Sequence, residues 1–310
     1  DIKLLDATGQ ETPVRVIPQR TATGQRLSFA PEGSFRPGRY TLRLEVADSG
    51  ETEIVEHEFV WGDLAINTNK SIYHSDEEAY LQLAVLSETG HTICDANLKL
   101  AITDPRGDVT ELLTADQGIT ASDTCGVDNV TDDPDYFVYY PTTSAGNYEL
   151  RLTNEDNGYS VNDSFEVRAD IPFEIERVSA TRINPFKADY RMRIIVTAQE
   201  DFTGQIIETV PADFEVRSTE FITQTNDGAD QTLAAEVALH AGETKELTYT
   251  YQAPQISPQL YLLGPLRFLA GAEHSEEVFE ELRSWQIAAD AACASNGTGN
   301  WSAAGTWTSC

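Results

Sequence analysis

The segment "FRPGRYTLRLEVADSGETEIVEHEFV" (Phe35–Val60) decides the fold class, because apolar residues recur at every second position of its first half. Apolar side chains fall on one face and polar side chains on the other: Tyr40, Leu42, Leu44 and Val46 against Thr41, Arg43 and Glu45. Such alternation indicates a β-strand with one buried face. The pattern recurs along the whole sequence, and long stripes of 3.6-residue period are nearly absent. The sequence therefore predicts an all-β protein.

A second segment repeats the first. "TTSAGNYELRLTNEDNGYSVNDSFEV" (Thr142–Val167) has the same order of Gly-x-Tyr, alternating strand, polar turn and second strand. Such a repeat predicts tandem modules of one architecture. The Gly-x-Tyr start resembles the tyrosine corner of immunoglobulin-like sandwiches, in which a Tyr hydroxyl bonds back to nearby backbone. The alternative is that Tyr is simply a favourable strand residue. We expect tandem immunoglobulin-like β-sandwich domains with a Gly/Ser/Asn-rich C-terminal tail.

The length of 310 residues suits two or three domains of about 100 residues each. We expect a short or partial sandwich over residues 1–61 and a complete one over 62–169. A third sandwich is expected over 170–285, followed by a linker or assembly segment over 286–310. The segment "EEVFEELRSW" (Glu276–Trp285) is the one place where the pattern favours a short helix.

Two segments carry a resemblance to known families. "INTNKSIYHSDEEAYLQLAVLSETG" followed by "ANLKLAITDPRG" is similar to the macroglobulin (MG2-like) domains, which open with Lys-Pro-Ile-Tyr-x-Pro-Gly and later read Asp-Pro-x-Gly. The matching residues are Lys70, Ile72, Tyr73, Asp104, Pro105 and Gly107, whereas Ser71, Ser75 and Asp76 replace the usual Pro, Pro and Gly. The segments "ETVPADFEV" and "LHAGETKELTYTYQAP" resemble DUF11-like or CARDB-like repeats. The resemblances imply a fragment of a larger bacterial or archaeal surface protein.

The charge is strongly negative, because the chain has 51 Asp and Glu residues but 21 Lys and Arg residues, which gives a net charge of −30. Nucleic acids and anionic lipids need clustered cations, so the composition excludes both as partners. No apolar run is long enough to insert into a membrane. The chain begins with Asp1 rather than Met, which we interpret as the start of a processed or excised product. We expect an extracellular, cell-surface location.

The cysteines and asparagines favour the same compartment. Cysteines 94 and 125 are 31 residues apart, cysteines 293 and 310 are 17 apart, and neither couple has Cys-x-x-Cys spacing. Three pairings exist, of which Cys94–Cys125 with Cys293–Cys310 closes the shortest loops. Such local pairs indicate an oxidising compartment. Candidate glycosylation acceptors in Asn-x-Ser/Thr triplets are Asn69, Asn129, Asn162, Asn296 and Asn300.

Calcium is the ligand best supported by the residue types. The loop "SDTCGVDNVTDDPDYF" gathers carboxylates, which are hard oxygen ligands that Ca²⁺ prefers, although EF-hand spacing is missing. The alternative is an acidic, solvated loop. No other cofactor is expected. The candidate calcium ligands are Asp123, Asp128, Asp132, Asp133 and Asp135.

Signatures of catalysis are absent from the sequence. It lacks His-Glu-x-x-His, Gly-x-Ser-x-Gly and a phosphate-binding loop. The thioester motif Cys-Gly-Glu-Gln of true macroglobulins is also missing, so covalent protease trapping is not implied. The acidic run Asp76–Glu78 precedes a strand, and we interpret it as a solvated turn, since paired catalytic carboxylates need a cleft. We therefore expect a protein that is not an enzyme.

The expected function is structural: a stalk or a subunit of a surface filament that self-associates with identical subunits head to tail. A strand-poor first module could accept a strand from the next subunit. The alternative is an adhesin or a module that binds a host or surface glycan or protein, and the third expectation is a fragment of a macroglobulin-like protease inhibitor. In either of the first two, the tail residues Trp301 and Trp307 are candidate contacts.

Overall fold

The structure, a computed structural model, consists of β-strands joined by turns. It contains no helix in the residues that it describes, which are 2–6, 8–21, 24–31, 34–35, 37–48, 51–87, 91–126, 133–187, 189–228, 230–271, 276–290, 294–295 and 307–308. The all-β, immunoglobulin-like sandwich architecture expected from the alternation is confirmed. None of the described residues forms a helix long and apolar enough to cross a membrane.

The N-terminal module has few strands. Strands β1, β5 and β6 form an antiparallel sheet with β5 in the centre. Strands β2 and β3 form a separate hairpin, and β4 pairs with a strand outside this module. Among the side chains of the three-stranded sheet that the structure describes, Leu4 and Tyr40 are buried. The strands are β1 (Ile2–Asp6), β2 (Val14–Thr21), β3 (Gly24–Pro31), β4 (Ser34–Phe35), β5 (Gly38–Asp48) and β6 (Glu51–Trp61).

The central sandwich packs a five-stranded sheet, in the order β11-β10-β14-β15-β8, on a four-stranded sheet, in the order β12-β13-β9-β7. Its hydrophobic core contains only residues between Leu64 and Val167. The strands are β7 (Leu64–Thr68), β8 (Ile72–Tyr73), β9 (Glu78–Val85), β10 (Leu98–Thr103), β11 (Val109–Leu113), β12 (Thr120–Ala121), β13 (Tyr136–Pro141), β14 (Gly146–Asn154) and β15 (Ser160–Val167).

The C-terminal sandwich has sheets of orders β16-β18-β23-β20 and β21-β22-β19-β25-β26, and a further sheet of β17, β27 and β24. Its strands are β16 (Phe173–Val178), β17 (Arg182–Ile183), β18 (Tyr190–Ala198), β19 (Phe202–Pro211), β20 (Glu215–Arg217), β21 (Ile222–Asp227), β22 (Asp230–Leu239), β23 (Thr244–Gln252), β24 (Gln259–Leu263), β25 (Arg267–Ala270), β26 (Glu276–Glu280) and β27 (Trp285–Ala289). Beyond it, β28 (Ala294–Ser295) pairs with β29 (Trp307–Thr308).

The internal repeat corresponds to two long hairpins. Gly38 pairs with Trp61 across β5 and β6, and Gly146 pairs with Val167 across β14 and β15. The hydroxyl of Tyr148 accepts hydrogen bonds from the backbone of Thr143 and Ser144, at 3.1 and 3.0 Å. This is the bond to upstream backbone that the Gly-x-Tyr pattern predicted.

The helix expected over Glu276–Trp285 is wrong. Residues 276–280 form β26, which pairs with β25, and β27 begins at Trp285. In β26 only Phe279 is buried, which is typical of a strand at the edge of a sheet. The backbone of β26 pairs with β25 instead of forming the internal hydrogen bonds of a helix. Strand β27 also crosses the boundary that we expected at residue 285, because β24 and β17 pair with it on either side.

The disulfide Cys94–Cys125 is confirmed, with a sequence separation of 31. It ties the segment before β10 to the loop after β12. Cys293 and Cys310 lie outside the described residues, so their pairing stays a prediction.

Candidate functional site

The central and C-terminal sandwiches meet through a dense set of polar contacts, which we call the joint. Its residues come from strands and turns of both sandwiches. The central sandwich contributes the side chains of Asn67, Asn69, Lys70, His74, His91, Asp135 and Asp163, and the C-terminal sandwich contributes those of Glu174, Glu176, Arg182, Arg283 and Asp290 and the backbone of Gln286. The connection between β15 and β16 is short, spanning residues 168–172.

The acidic turn before β9 belongs to the joint. Asp76 is exposed and has a φ of 67°, as the tight turn requires. Glu77, in contrast, accepts hydrogen bonds from Lys70 Nζ and from the backbone nitrogen of His74, both at 2.8 Å. The turn is therefore partly solvated and partly a support for the neighbouring basic residues, rather than wholly solvated as the sequence suggested.

Lys70 and His74 reach from this turn to Glu174 on β16. Lys70 Nζ lies 3.5 Å from one carboxylate oxygen of Glu174, and His74 Nε2 lies 3.0 Å from the other. Partial burial alone would raise the pKa of Glu174, but the hydrogen bond from His74 and the charge of Lys70 outweigh it and lower that pKa. The carboxylate is thus held ionised where the two sandwiches meet.

Amide side chains add direct bonds between the sandwiches. Asn67 Nδ2 donates to the carbonyl of Gln286, and the backbone nitrogen of Gln286 donates to Asn67 Oδ1, both at 2.8 Å. In this way the Asn67 side chain bonds to β27 as a neighbouring strand would. Asn69 Nδ2 donates to Glu176 Oε1 at 3.2 Å, and the Asn69 carbonyl accepts from the backbone nitrogen of Arg177 at 2.9 Å.

One buried ion pair and one buried carboxylate complete the joint. Arg182 donates from Nε and Nη2 to Asp135 Oδ1, at 3.1 and 3.0 Å, and both side chains are at most 5% exposed. Burial raises the pKa of Asp135, although the charge of Arg182 opposes the rise. Asp290 accepts from the backbone nitrogen of Thr92 at 3.0 Å and lies 3.1 Å from His91 Nδ1.

Arg283, between β26 and β27, reaches across the joint to the central sandwich. Its guanidinium lies 2.7 Å from Asp163 Oδ2 and also donates to the carbonyl of Ile66 and the hydroxyl of Thr68. Burial raises the pKa of Asp163, with the charge of Arg283 opposing. Because one guanidinium serves three acceptors on two strands, β7 and β15, the position of this arginine is closely fixed.

The N-terminal module contacts the C-terminal sandwich by strand pairing. Strand β4 adds to the edge of β24, with Phe35 opposite Leu260. The Phe35 ring also packs 4.8 Å from the Trp61 ring. Gly62 follows with a φ of 83°, and a Cβ there would lie 2.5 Å from Leu260 Cδ1, so a larger residue would separate the two modules. A cleft of about 300 Å³ lies at this junction, lined by Trp61, Asn162 and Arg283 among others.

The candidate calcium ligands do not form one group in the part of the loop that the structure describes. Asp123 and Asp133 are exposed, whereas the Asp135 carboxylate is bound by Arg182. Asp128 and Asp132 lie outside the described residues. Among the described residues, no three His, Cys, Asp or Glu side chains are close enough to hold a metal ion.

The candidate glycosylation acceptors are placed differently. Asn162 is exposed on β15, whereas the Asn69 amide is used within the joint. Asn129, Asn296 and Asn300 lie outside the described residues, as does Trp301. Trp307 belongs to β29, and only its backbone is described.

Sequence reasoning missed the joint. Its partners are far apart along the chain, for example 47 positions between Asp135 and Arg182 and 219 between Asn67 and Gln286. One feature of the sequence could have indicated the joint. Charged residues such as Arg182 stand next to strand positions that are otherwise apolar, which is uncommon unless the charge has a buried partner.

Comparison with known proteins gives no family. No protein-family model matches the chain, and no curated protein matches it. Among solved structures, it is similar to the alpha-2-macroglobulin of E. coli, at 13% identity and a TM-score of 0.27, over 94% of this chain and 18% of that one. It is similar also to a methylamine-reacted Salmonella alpha-2-macroglobulin, at 14% identity and a TM-score of 0.29, over 94% and 19%.

A third similar structure is a DUF4785 family protein of Legionella pneumophila, at 12% identity and a TM-score of 0.25, over 91% of this chain and 78% of that one. The chain spans about a fifth of the length of the two macroglobulins. They belong to the family that the sequence of the central sandwich resembles. At such TM-scores, however, these similarities establish neither a family nor a function, and the resemblance to DUF11-like or CARDB-like repeats stays a prediction.

Proposed function

We propose that the chain is a non-enzymatic structural segment of an extracellular surface protein, a stalk or a filament subunit in which the sandwiches hold a fixed relative orientation. The observation that carries this proposal is the joint. An extracellular location agrees with the Cys94–Cys125 disulfide, since such bonds persist in oxidising compartments.

The chemistry of the joint explains why it should be stiff. Bringing two charges out of water is unfavourable unless their geometry is good and their remaining donors and acceptors are satisfied. In the observed arrangement of the sandwiches the Asp135 carboxylate accepts two N–H groups of Arg182, and Asp290 accepts the backbone N–H of Thr92. Any other arrangement would leave buried charges without partners. The short connection over residues 168–172 further limits movement.

Self-association has a candidate surface on the N-terminal module. Strand β6 is 11 residues long and lies at the edge of the described three-stranded sheet. Its central residues Ile54 and Val55 are 48% and 47% exposed. A long edge strand with apolar side chains accepts strands from other chains, so head-to-tail growth would use this edge.

The stiffness is tested by small-angle X-ray scattering on the whole chain. We expect a single rigid shape for the wild type and a broader distribution of sizes for Arg182→Met, which leaves the Asp135 charge unpaired. Arg193→Met is the matched control, because Arg193 pairs with Glu246 near the protein surface, away from the joint and the connection. A wild type that already samples many shapes would refute the stalk.

Filament formation is tested separately, by negative-stain imaging over a range of protein and salt concentrations. We expect fibres that are lost in the variant with Ile54→Lys and Val55→Lys, but kept in the control Val109→Lys, whose site is 60% exposed on the central sandwich. Isolated rods under all conditions would leave a stalk and exclude the filament. The adhesin and the inhibitor fragment stay predictions.

A further inference from the structure

The outer face of the sheet β12-β13-β9-β7 carries three aromatic rings, which we call the aromatic face: Tyr80, Phe137 and Tyr139. Tyr80 and Tyr139 are directly opposite each other across β9 and β13, and their rings stack with centroids 4.8 Å apart and planes 20° apart. Phe137 stands two residues before Tyr139 on the same side of β13, 5.8 Å from its ring.

Tyr139 is open to solvent and the other two rings are partly so, in contrast to their inward neighbours. Tyr139 is 56% exposed, and Tyr80 and Phe137 are partly exposed. The alternate residues Tyr136 and Val138 are at most 3% exposed in the core. Cross-strand aromatic pairs stabilise a sheet, but such stabilisation does not require that Tyr139 be more than half exposed beside a third, partly exposed ring.

The surroundings of the aromatic face are acidic. Glu78 is exposed two residues before Tyr80, hence on the same side of β9, and the exposed Asp133 precedes β13. Partial burial and then the nearby Tyr139 and Asp133 raise the pKa of Tyr80 to about 12, so the ring stays neutral in ordinary conditions. None of the four strands of this sheet, all of which the structure describes, contains Lys or Arg.

We propose that the aromatic face with Glu78 and Asp133 is a docking surface for an arginine-rich segment of a partner protein. A guanidinium stacks on aromatic rings by cation–π attraction, and its N–H groups donate to carboxylates beside the rings. The charge complementarity is global as well as local, because the net charge of −30 attracts basic chains from a distance. An identical aromatic face on a second copy would bring its own carboxylates against Glu78 and Asp133, so it is not the occupant.

The proposal is tested by titrating the whole chain with a synthetic peptide of repeated Arg-Gly-Ser, followed by calorimetry, with a Gln-Gly-Ser peptide of equal length as the neutral control. We expect Tyr139→Ala to weaken the affinity by roughly 3- to 10-fold per arginine seated on the rings. Tyr139→Phe, which keeps the ring, retains binding. Asp133→Asn with Glu78→Gln weakens binding and reduces its salt dependence.

Val109→Ala, at an exposed site on the other sheet, is the control and leaves the affinity unchanged. Equal peptide binding by wild type and Tyr139→Ala would overturn the proposal, since it would show attraction by net charge alone. No arginine-peptide binding, together with binding of neutral oligosaccharides that Tyr139→Ala abolishes, would also overturn it and assign the rings to a sugar site. Circular dichroism checks that each variant keeps its sheet content.

Discussion

Arg177 is a charged residue in a position that the strand alternation reserves for the core. It follows the inward-facing Phe173 and Ile175 at the next alternate position of β16 and is 4% exposed. Its guanidinium donates to both oxygens of Glu208, at 2.9 and 2.7 Å, and to Glu281. Tyr249 donates to Glu208 at 3.0 Å. One cation thus serves two buried carboxylates, and every partner comes from a different strand or turn.

Replacing this cation should be among the most destabilising single changes. We expect Arg177→Met to lower the free energy of unfolding by about 3–5 kcal/mol, because two carboxylates lose their buried counter-charge. Urea unfolding followed by tryptophan fluorescence measures the effect, since Trp285 lies in the same core. Arg193→Met is the matched control: Arg193 pairs with Glu246 near the surface, and its loss should change the free energy by less than about 1 kcal/mol.

Combining Arg177→Met with Glu208→Gln and Glu281→Gln should restore part of the lost stability, because neutral side chains need no counter-charge. If the triple variant were no more stable than Arg177→Met, the loss would arise from packing rather than from uncompensated charge.

The pH dependence of stability should carry the signature of Glu208. Burial raises the pKa of Glu208 above 4.5, the ordinary value, and Arg177 only partly opposes the rise. The folded chain therefore binds this proton more tightly than the unfolded chain, so stability falls as the pH rises from the ordinary to the raised value. Glu208→Gln should flatten that part of the profile in urea unfolding, whereas an unchanged profile would contradict the assignment.

Glycosylation should distinguish the two described acceptors. We expect glycan at Asn162, whose side chain is exposed, and little or none at Asn69, whose amide nitrogen donates to Glu176 within the joint. Peptide mass spectrometry after expression in a glycosylating host measures both occupancies, with Asn162→Gln as the control. High occupancy at Asn69 would mean that the joint does not form as described.

At this scale, sequence reasoning succeeded where a residue acts within its own strand. Tyr148 and the alternating core of β14 follow from spacing alone. The partners of Arg177 lie 31 and 104 positions away, and Asp135 resembled a calcium ligand until Arg182 was seen beside it. Local spacing holds no information on which distant charge will face a side chain.

At the scale of elements, hairpins were predictable and edge strands were not. Both copies of the repeat form the hairpins that their turns indicate, since a hairpin is decided by neighbouring residues. Strand β26 has a run of glutamates that a helix tolerates equally well, and only β25 decides between the two. The pairing of β4 with β24 likewise joins segments more than 200 residues apart and has no local signal.

The disulfide Cys94–Cys125 should stabilise the central sandwich through its unfolded state. Its loss removes a cross-link over 31 residues, which the chain-entropy description values at about 3–4 kcal/mol. We expect the double variant Cys94→Ser with Cys125→Ser to unfold at lower urea concentration, and reduced wild type to match it. Equal stability of oxidised wild type and variant would show that other contacts already restrain the loop.

At the scale of the whole molecule, Phe35 is an aromatic anchor of the N-terminal module among the side chains that the structure describes. Phe35 is 8% exposed between Leu260 and Trp61. Truncating a buried phenylalanine costs about 3–5 kcal/mol, so Phe35→Ala should detach β4 from β24. Limited proteolysis should then cleave between the N-terminal module and the central sandwich faster than in wild type. Val109→Ala is the control, and unchanged cleavage would show that the module is held by other contacts.

The burial of the joint has a consequence for a molecule that meets changing salinity. Dissolved ions screen exposed charges over about 8 Å at physiological ionic strength, but they act far less on pairs from which water is excluded. Brine should therefore weaken the attraction or repulsion between neighbouring molecules while the angle between the two sandwiches stays the same, since Asp135 and Arg182 are at most 5% exposed. On the proposed function, the relative orientation of the sandwiches would thus be insensitive to salt from fresh water to sea water, whereas the surface field would follow the salt.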